Sequence, residues 1–361
     1  MPCQLAIATM SLGRASCHSF THKLDQAKRN GYTGLEIFYE DLETMASLMP
    51  GGATPSNQQK AAAEITRLCS ARNIEIICLQ PFMHYEGLVD RTLHAQRLDD
   101  LKHWFTLATI LNTDLIAMPS TFLPPTETTA DIPTIVSDFT EAALLAASHD
   151  PPLRLCYESL AWATHTDTWE KSWDIVRRVN LPNFGICLDT FNIAGRIYAD
   201  PASASGRTLN ADVAVEESLE RMVGTVDVKK VFFIQVVDAE RLSAPLVEGH
   251  EFFVPGQPAR MSWSRNCRLF YGEEEYGAYL PVRQILDAIF NGLGYEGWVS
   301  MELFNRLMGD EREEVPGILA RRGRIGWERL VKDFPGVVVG EVEVEKVPAI
   351  VRQDSVQSIV M

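Results

Sequence analysis

The stretch LRLCYESLAW, residues 153–162, opens as a short apolar run of the kind that forms a buried strand. It ends in a carboxylate, Glu158, and passes at once into a polar and aromatic loop. Three later stretches repeat that grammar: FGICLDT ends in Asp189, VFFIQVVD carries Gln235, and GWVSMELF carries Glu302. An apolar strand does not end in a charged group unless something there takes up the charge, because an uncompensated buried carboxylate is costly. Four such strand ends with oxygen-bearing side chains predict a hard-cation site at one mouth of a parallel barrel.

Outward from these strands, helix and strand patterns alternate along the chain. QLAIAT, residues 4–9, reads as a first strand, and Phe20, Leu24 and Ala27 follow at helical spacing between a Ser19 cap and an Asn30-Gly31 stop. GLEIF (34–38) is a second strand carrying Glu36, and after Pro50-Gly51-Gly52 a helix is expected over 57–72. Ile74–Leu79 is the third strand, with PFMHYEGL (81–88) as its loop, and a helix over 91–111 places Leu98, Leu101, Phe105 and Ala108 on one face. Asp114–Met118 is the fourth strand, followed by a helix over 132–148. Asp167 with Glu170 predicts a capping box for the helix carrying Trp169, Trp173 and Val176. The remaining strands are expected at Phe184–Leu188, Val231–Val236 and Gly297–Met301, with helices over 211–224, 279–292 and 316–333.

Eight βα units result, with strands apolar throughout, as required where helices cover both faces. No G-x-G-x-x-G follows the first strand, so a (β/α)8 barrel is expected over 1–334 rather than an open doubly wound sheet. Residues 239–278 form a long connection after the seventh strand, positioned to cover a substrate at the active mouth. Residues 335–361 form a C-terminal extension whose valine-rich start reads as an edge strand or a homodimer contact, with the last dozen residues loose.

Composition removes several function classes. Lysine and arginine number 33 against 48 acidic residues, and a net charge of −15 opposes nucleic acid as a partner. No apolar run is long enough to span a membrane, and MPCQLAIATM lacks the basic flank and cleavage site of a signal peptide. Seven cysteines, odd in number and without a C-x-x-C pair, indicate neither a disulfide framework nor a zinc knuckle. Cys78, Cys156 and Cys187 lie in apolar runs, as reduced core residues of a cytoplasmic protein do.

Neighbouring strands lie about 4.8 Å apart, so Glu158, Asp189, Gln235 and Glu302 at matching heights can converge on one ion. A glutamate after a strand is ordinarily a loop residue or a partner for arginine; the shared register of four is the signal. The all-oxygen donor set suits Mg2+ or Mn2+, with Co2+ as an alternative, rather than thiolate-bound zinc.

YESLAW, CLDTFN, FFIQVVD and SMELF resemble the 3-dehydroshikimate dehydratases of quinate and shikimate catabolism, the fungal ones above all, within the xylose isomerase-like TIM-barrel superfamily. PFMHYEGL and SRNCRLF (264–270) match as well. The resemblance implies that Glu158, Asp189, Gln235 and Glu302 bind one divalent metal. It implies loss of water from 3-dehydroshikimate to give protocatechuate: a proton α to a metal-polarised ketone is removed and the β-hydroxyl leaves. His84 and His165, on loops at the active mouth, are the candidates for moving that proton. In bacterial members a histidine stands three residues after the ligand aspartate; here that position is Asn192, so the base cannot simply be carried over. Arg268 is the candidate for gripping the substrate carboxylate, with Ser264 as its hydrogen-bonding neighbour and Arg265 as the alternative cation. Glu36 either orients a ligand or base or pairs in the core, while Trp162, Phe82, Phe191 and Phe270 either wall the substrate ring or pack.

The rival reading is a sugar isomerase or epimerase of the same superfamily, which uses the same metal and related chemistry. The SRNCRLF loop favours the dehydratase. A DNA endonuclease of the superfamily is opposed by the charge and by histidines that do not cluster at strand ends. A catalytically silent binding barrel is opposed by the presence of all four ligands.

Overall fold

The computed structural model describes residues 2–337. Eight parallel strands close into one barrel: β1 (Gln4–Ala8), β2 (Gly34–Phe38), β3 (Glu75–Gln80), β4 (Leu115–Pro119), β5 (Arg154–Glu158), β6 (Phe184–Asp189), β7 (Val231–Gln235) and β8 (Trp298–Met301). The barrel closes where β8 pairs with β1, Ile7 lying opposite Met301. This is the (β/α)8 architecture that the alternation of patterns predicts.

The strands are apolar on both faces but not alike on them. Ala6, Cys78, Ala117, Cys156, Cys187 and Phe233, together with Ile77 and Leu115, form a cluster separate from the main core. Leu155, Tyr157, Ile186, Leu188, Ile234, Val299 and Met301 belong instead to the large core between strands and helices. Side chains alternate with a period of two. Two residues beyond Cys156, Cys187, Phe233 and Ser300 the same inward face therefore ends in Glu158, Asp189, Gln235 and Glu302. The interior layer is built largely from small side chains. Burial pushes the thiols of Cys78, Cys156 and Cys187 well up, so they stay protonated core groups. All seven cysteines are free, and six are buried.

The helix over 91–111 is found as Arg91–Leu111, that over 132–148 as Ile132–Ala147, and the last as Val315–Asp333. Other expectations are corrected. The helix Trp169–Val179 is capped by Thr168, whose hydroxyl accepts from the Lys171 amide. Asp167, one residue too early to cap, instead pairs with Lys171 and Arg196, each at 2.6 Å. The helix expected over 279–292 is shorter, Val282–Asp287, and relaxes into a π turn at Ala288–Gly292. Three helices fall where loops were expected: Tyr39–Ser47, Thr190–Ile197 and Ala259–Cys267. Each is one to three turns long and takes its stability from packing, which a short periodicity does not reveal.

The long connection after β7 is therefore structured. Asp238–Ala239 pairs antiparallel with Arg268–Leu269, and the helix Ala259–Cys267 lies between them in sequence. Helix Val315–Asp333 buttresses this region. A Cβ at Gly326 would meet the Phe270 side chain and the Tyr271 backbone at 3.2 Å, so glycine there permits the close approach. Among the described residues no helix is long and apolar enough to cross a membrane. The edge-strand or dimer reading, and the loose end, concern 338–361 for the most part and lie outside the described residues.

Candidate active site

Glu158, Asp189 and Gln235 are the last residues of β5, β6 and β7, and Glu302 is the first after β8. One oxygen from each of Glu158, Asp189 and Glu302 lies within 4.8 Å of the others, and all three side chains are buried. Gln235 is in register with Asp189 on one side and Ser300 on the other.

Local structure holds these groups. Asp189 caps the helix that follows it, its Oδ1 accepting from the Phe191 amide at 2.6 Å. That helix carries Asn192 back to the site. Its Nδ2 donates to Glu158 at 2.7 Å and to Asp189 at 2.8 Å, and its Oδ1 accepts from the Ala161 amide at 3.0 Å. Asn192 thus ties two strand ends together.

Arg268, at the end of helix Ala259–Cys267, enters the site from outside the barrel. Its NH1 donates to Asp189 at 2.9 Å and to Glu302 at 3.0 Å, and its Nε donates to Ser264 at 3.0 Å. The guanidinium lies 4.4 Å from the Phe191 ring centre and 5.0 Å from that of Phe304. Deeper in the barrel, Gln80 Nε2 donates both to Glu302 at 2.9 Å and to Glu36 at 2.7 Å, and Gln235 Nε2 donates to Glu36 at 2.9 Å.

The charge does not balance. Glu36, Glu158, Asp189 and Glu302 face one guanidinium, Arg268. Burial, then Glu302 and Asp189, pushes Glu158 well above the carboxylate range. Burial also lifts Glu302, against the pull of Arg268, to about 7. Glu36 rises well above its ordinary value through burial and the neighbouring Glu302. At the observed spacing each pair of ionised carboxylates costs about 3 kcal/mol at an effective dielectric constant of about 20. For Arg268 burial works against the charge, yet Asp189, Glu302 and Glu158 outweigh it and hold the guanidinium protonated. One guanidinium among four carboxylates leaves the site net negative, and a divalent cation would offset that excess. The oxygen donors and the excess negative charge both fit a hard cation.

A cleft of about 420 Å3 opens over these groups, with Gln80, Glu158, Glu302, Arg268 and Ser264 among its lining. Arg14, Glu40 and Arg265 contribute charge, and Phe38, Phe122, Trp162 and Phe304 contribute aromatic walls. Arg14 is held by Glu40 at 2.7 Å, while Arg265 is exposed and donates to Gln257 at 2.9 Å. The Trp162 indole nitrogen is buried and without a hydrogen-bond partner.

Neither candidate histidine lines this cleft. His84 sits behind its wall, ring against Phe122 at 4.5 Å and Nδ1 3.1 Å from the Thr121 hydroxyl. Burial, assisted by Arg97, lowers its pKa to about 4. His165 meets the Thr128 hydroxyl at 3.1 Å. Phe82 and Phe270 also lie outside the lining, Phe82 beneath Arg97 and Phe270 against the last helix. Sequence reasoning missed Gln80, which shares the signal of the other four, an oxygen-bearing side chain ending an apolar strand. Arg14 and Phe304 carry no such signal.

The profile of the xylose isomerase-like TIM-barrel family matches residues 24–321. A 3-dehydroshikimate dehydratase of Neurospora crassa is 56% identical over 341 residues, covering 92% of this chain and 95% of that protein. A 3-dehydroshikimate dehydratase of Pseudomonas aeruginosa is 28% identical over 305 residues, which are 84% of this chain but 38% of that longer protein. Among solved structures, a xylose isomerase-like TIM barrel/4-hydroxyphenylpyruvate dioxygenase fusion protein superposes with a TM-score of 0.68 at 25% identity. It covers 94% of this chain and 45% of its own.

Proposed function

The chain belongs to the xylose isomerase-like TIM-barrel family, and from that premise we infer that it is a 3-dehydroshikimate dehydratase, a hydro-lyase. The observation that carries this reading is the 56% identity to the Neurospora enzyme over 95% of that enzyme's length. The reaction removes water from 3-dehydroshikimate and yields protocatechuate.

We assign Glu158, Asp189, Gln235 and Glu302 to one divalent cation, Mg2+ or Mn2+, with Co2+ as an alternative. When bound, that ion supplies the Lewis acid that stabilises negative charge developing on the substrate ketone. Asn192 holds two of these carboxylates in place, and an amide does not exchange protons near neutral pH, so its part is positional. Arg268 and Ser264 are assigned the ring carboxylate, with Arg265 and Arg14 adding positive charge at the rim. Trp162, Phe38 and Phe304 are assigned to flank the ring. For the proton, the cleft itself offers carboxylates, while His84 and His165 are not among its lining residues. We therefore assign the transfer to a lining carboxylate and give the histidines the task of holding loops. The free thiols support a reducing, cytoplasmic setting.

The direct test is an absorbance assay for catechol-acid formation, run on metal-stripped protein, after addition of Mg2+, Mn2+ or Co2+, and on Glu158→Ala. Activity that returns with metal and is lost in the variant supports reaction and site together. Folded protein that binds Mn2+ but forms no product with any of the three ions would overturn the dehydratase assignment.

A further inference from the structure

Glu36 lies near the centre of the barrel and plays no part in the chemistry described so far. It sits on β2, is fully buried, and falls outside the group of carboxylates whose oxygens converge. Yet its Oε2 accepts two hydrogen bonds, from Gln80 Nε2 on β3 at 2.7 Å and from Gln235 Nε2 on β7 at 2.9 Å.

That arrangement answers a difficulty particular to glutamine as a metal ligand. A carboxylate offers an electron pair at either oxygen, whereas an amide offers one at oxygen and none at nitrogen. The two ends are nearly equal in size, so shape alone does not choose between them. An acceptor behind the amide does choose. With its nitrogen held on Glu36, the Gln235 oxygen turns toward β6, where it accepts from the Cys187 thiol at 3.5 Å and lies in register with Asp189. Gln80 makes the second link: one nitrogen serves both Glu36 and Glu302, so the same acceptor also restrains a second ligand.

We propose that Glu36 is a positioning residue for the cation site, holding Gln235 by its amide nitrogen so that the oxygen is presented to the ion, and restraining Glu302 through Gln80. This inference rests on the metal-site reading given above. It makes an acceptor oxygen at position 36 the requirement, rather than a negative charge. Glutamine there keeps such an oxygen; methionine, of similar length, does not.

The experiment measures Mn2+ affinity by titration calorimetry on metal-stripped wild type, Glu36→Met and Glu36→Gln, with thermal unfolding of each as a control. The expected result is a loss of about 10- to 100-fold in Mn2+ affinity for Glu36→Met, the usual scale for removing an outer-shell partner. Glu36→Gln is expected to stay within about threefold of wild type, because it keeps the acceptor. Unfolding midpoints that do not fall in step with affinity separate positioning from general damage. Wild-type affinity in folded Glu36→Met overturns the proposal, as does equal loss in both variants, which would make the charge the requirement. Wild type that takes up no Mn2+ overturns the metal-site reading itself, and this inference with it. Should Glu36→Met not fold, a crystal structure of the wild type with Mn2+ decides. Gln235 donating to Glu36 with its oxygen on the ion supports the proposal, and an amide turned away from Glu36 overturns it.

Discussion

The two halves of the barrel mouth are built from the same kind of strand and end differently. Strands β5 to β7 end in Glu158, Asp189 and Gln235, and β8 leads into Glu302; β1 to β4 end in Ala8, Phe38, Gln80 and Pro119. The first half crowds like charges into a buried space and has one guanidinium, delivered by Arg268, to offset them. The half from β1 to β4 has Gln80 as its one polar strand end, contributes Arg14 and Glu40 to the rim of the cleft, and carries the loop on which His84 and Glu86 sit. The difference teaches that the same strand frame carries different chemistry according to the residues at its inward ends, here carboxylates and an amide on one side of the mouth only.

That division can be tested, beginning with the half that holds the charge. Asp189→Asn keeps the size but removes one of the converging carboxylate charges. It is expected to lower kcat/KM by about 10^3-fold or more, with circular dichroism used to confirm that the variant is folded. A drop of less than tenfold in steady-state assays would move the chemistry away from this half. Arg268→Met comes next. It leaves buried Asp189 and Glu302 without their cation, and metal-free protein is expected to lose about 3–5 kcal/mol in urea unfolding. Saturating Mn2+ is expected to shrink that loss, since the ion then carries the balance.

The half from β1 to β4 has a smaller, pH-dependent signature. Glu86 is buried and accepts from the Thr121 amide at 2.7 Å and the Tyr157 hydroxyl at 3.1 Å. Burial pushes its carboxyl up to about 7 from an ordinary 4.5. Because the folded state holds the proton more tightly, stability is greatest below about 4.5, falls as pH rises toward 7, and is level above. The shift is worth about 3 kcal/mol in order of magnitude. Glu86→Gln is expected to remove that part of the decline, so urea midpoints at pH 5 and pH 8 should lie closer together than in wild type. The smallest effect is expected from His84→Ala and His165→Ala, each within about tenfold of wild-type kcat. A loss of about 10^2-fold or more, the scale of general acid–base catalysis, would instead bring a ring into the chemistry and blur the contrast between the halves.

Much of this was legible before any coordinates. A strand's period of two means that an apolar run ending in a carboxylate must aim it either into the barrel or among helices, and only the barrel mouth tolerates it. Glu158, Asp189, Gln235 and Glu302 were readable for that reason. Gln80 carries the same signal and was lost because the third strand was read as ending at Leu79, one residue short of its end in the structure. Asn192 was readable only as a departure from a motif. Its bond to Glu158 spans 34 residues of sequence, and no local pattern encodes that. The histidines are a different case. Residue type and loop position suggested the cleft, while the backbone at His84, with φ at +57°, and the Thr121 hydroxyl hold the ring behind Phe122.

Arg268 has a further consequence because of where it comes from. The only guanidinium bonded to the converging carboxylates among the described residues does not arise on a strand; it ends the helix Ala259–Cys267, within the long connection between β7 and β8. Its backbone is docked on the outgoing chain, Arg268 N donating to the Phe304 carbonyl at 3.0 Å and its own carbonyl accepting from Asn305 at 2.9 Å. The connection therefore behaves as a cassette that sets the electrical state of the mouth. All eight strands could be kept letter for letter, and exchanging this one segment for a shorter one would leave the same oxygen cage one charge more negative. For anyone redesigning such a barrel, the charge balance of the mouth and the oxygen cage come from different segments of the chain that meet at Arg268.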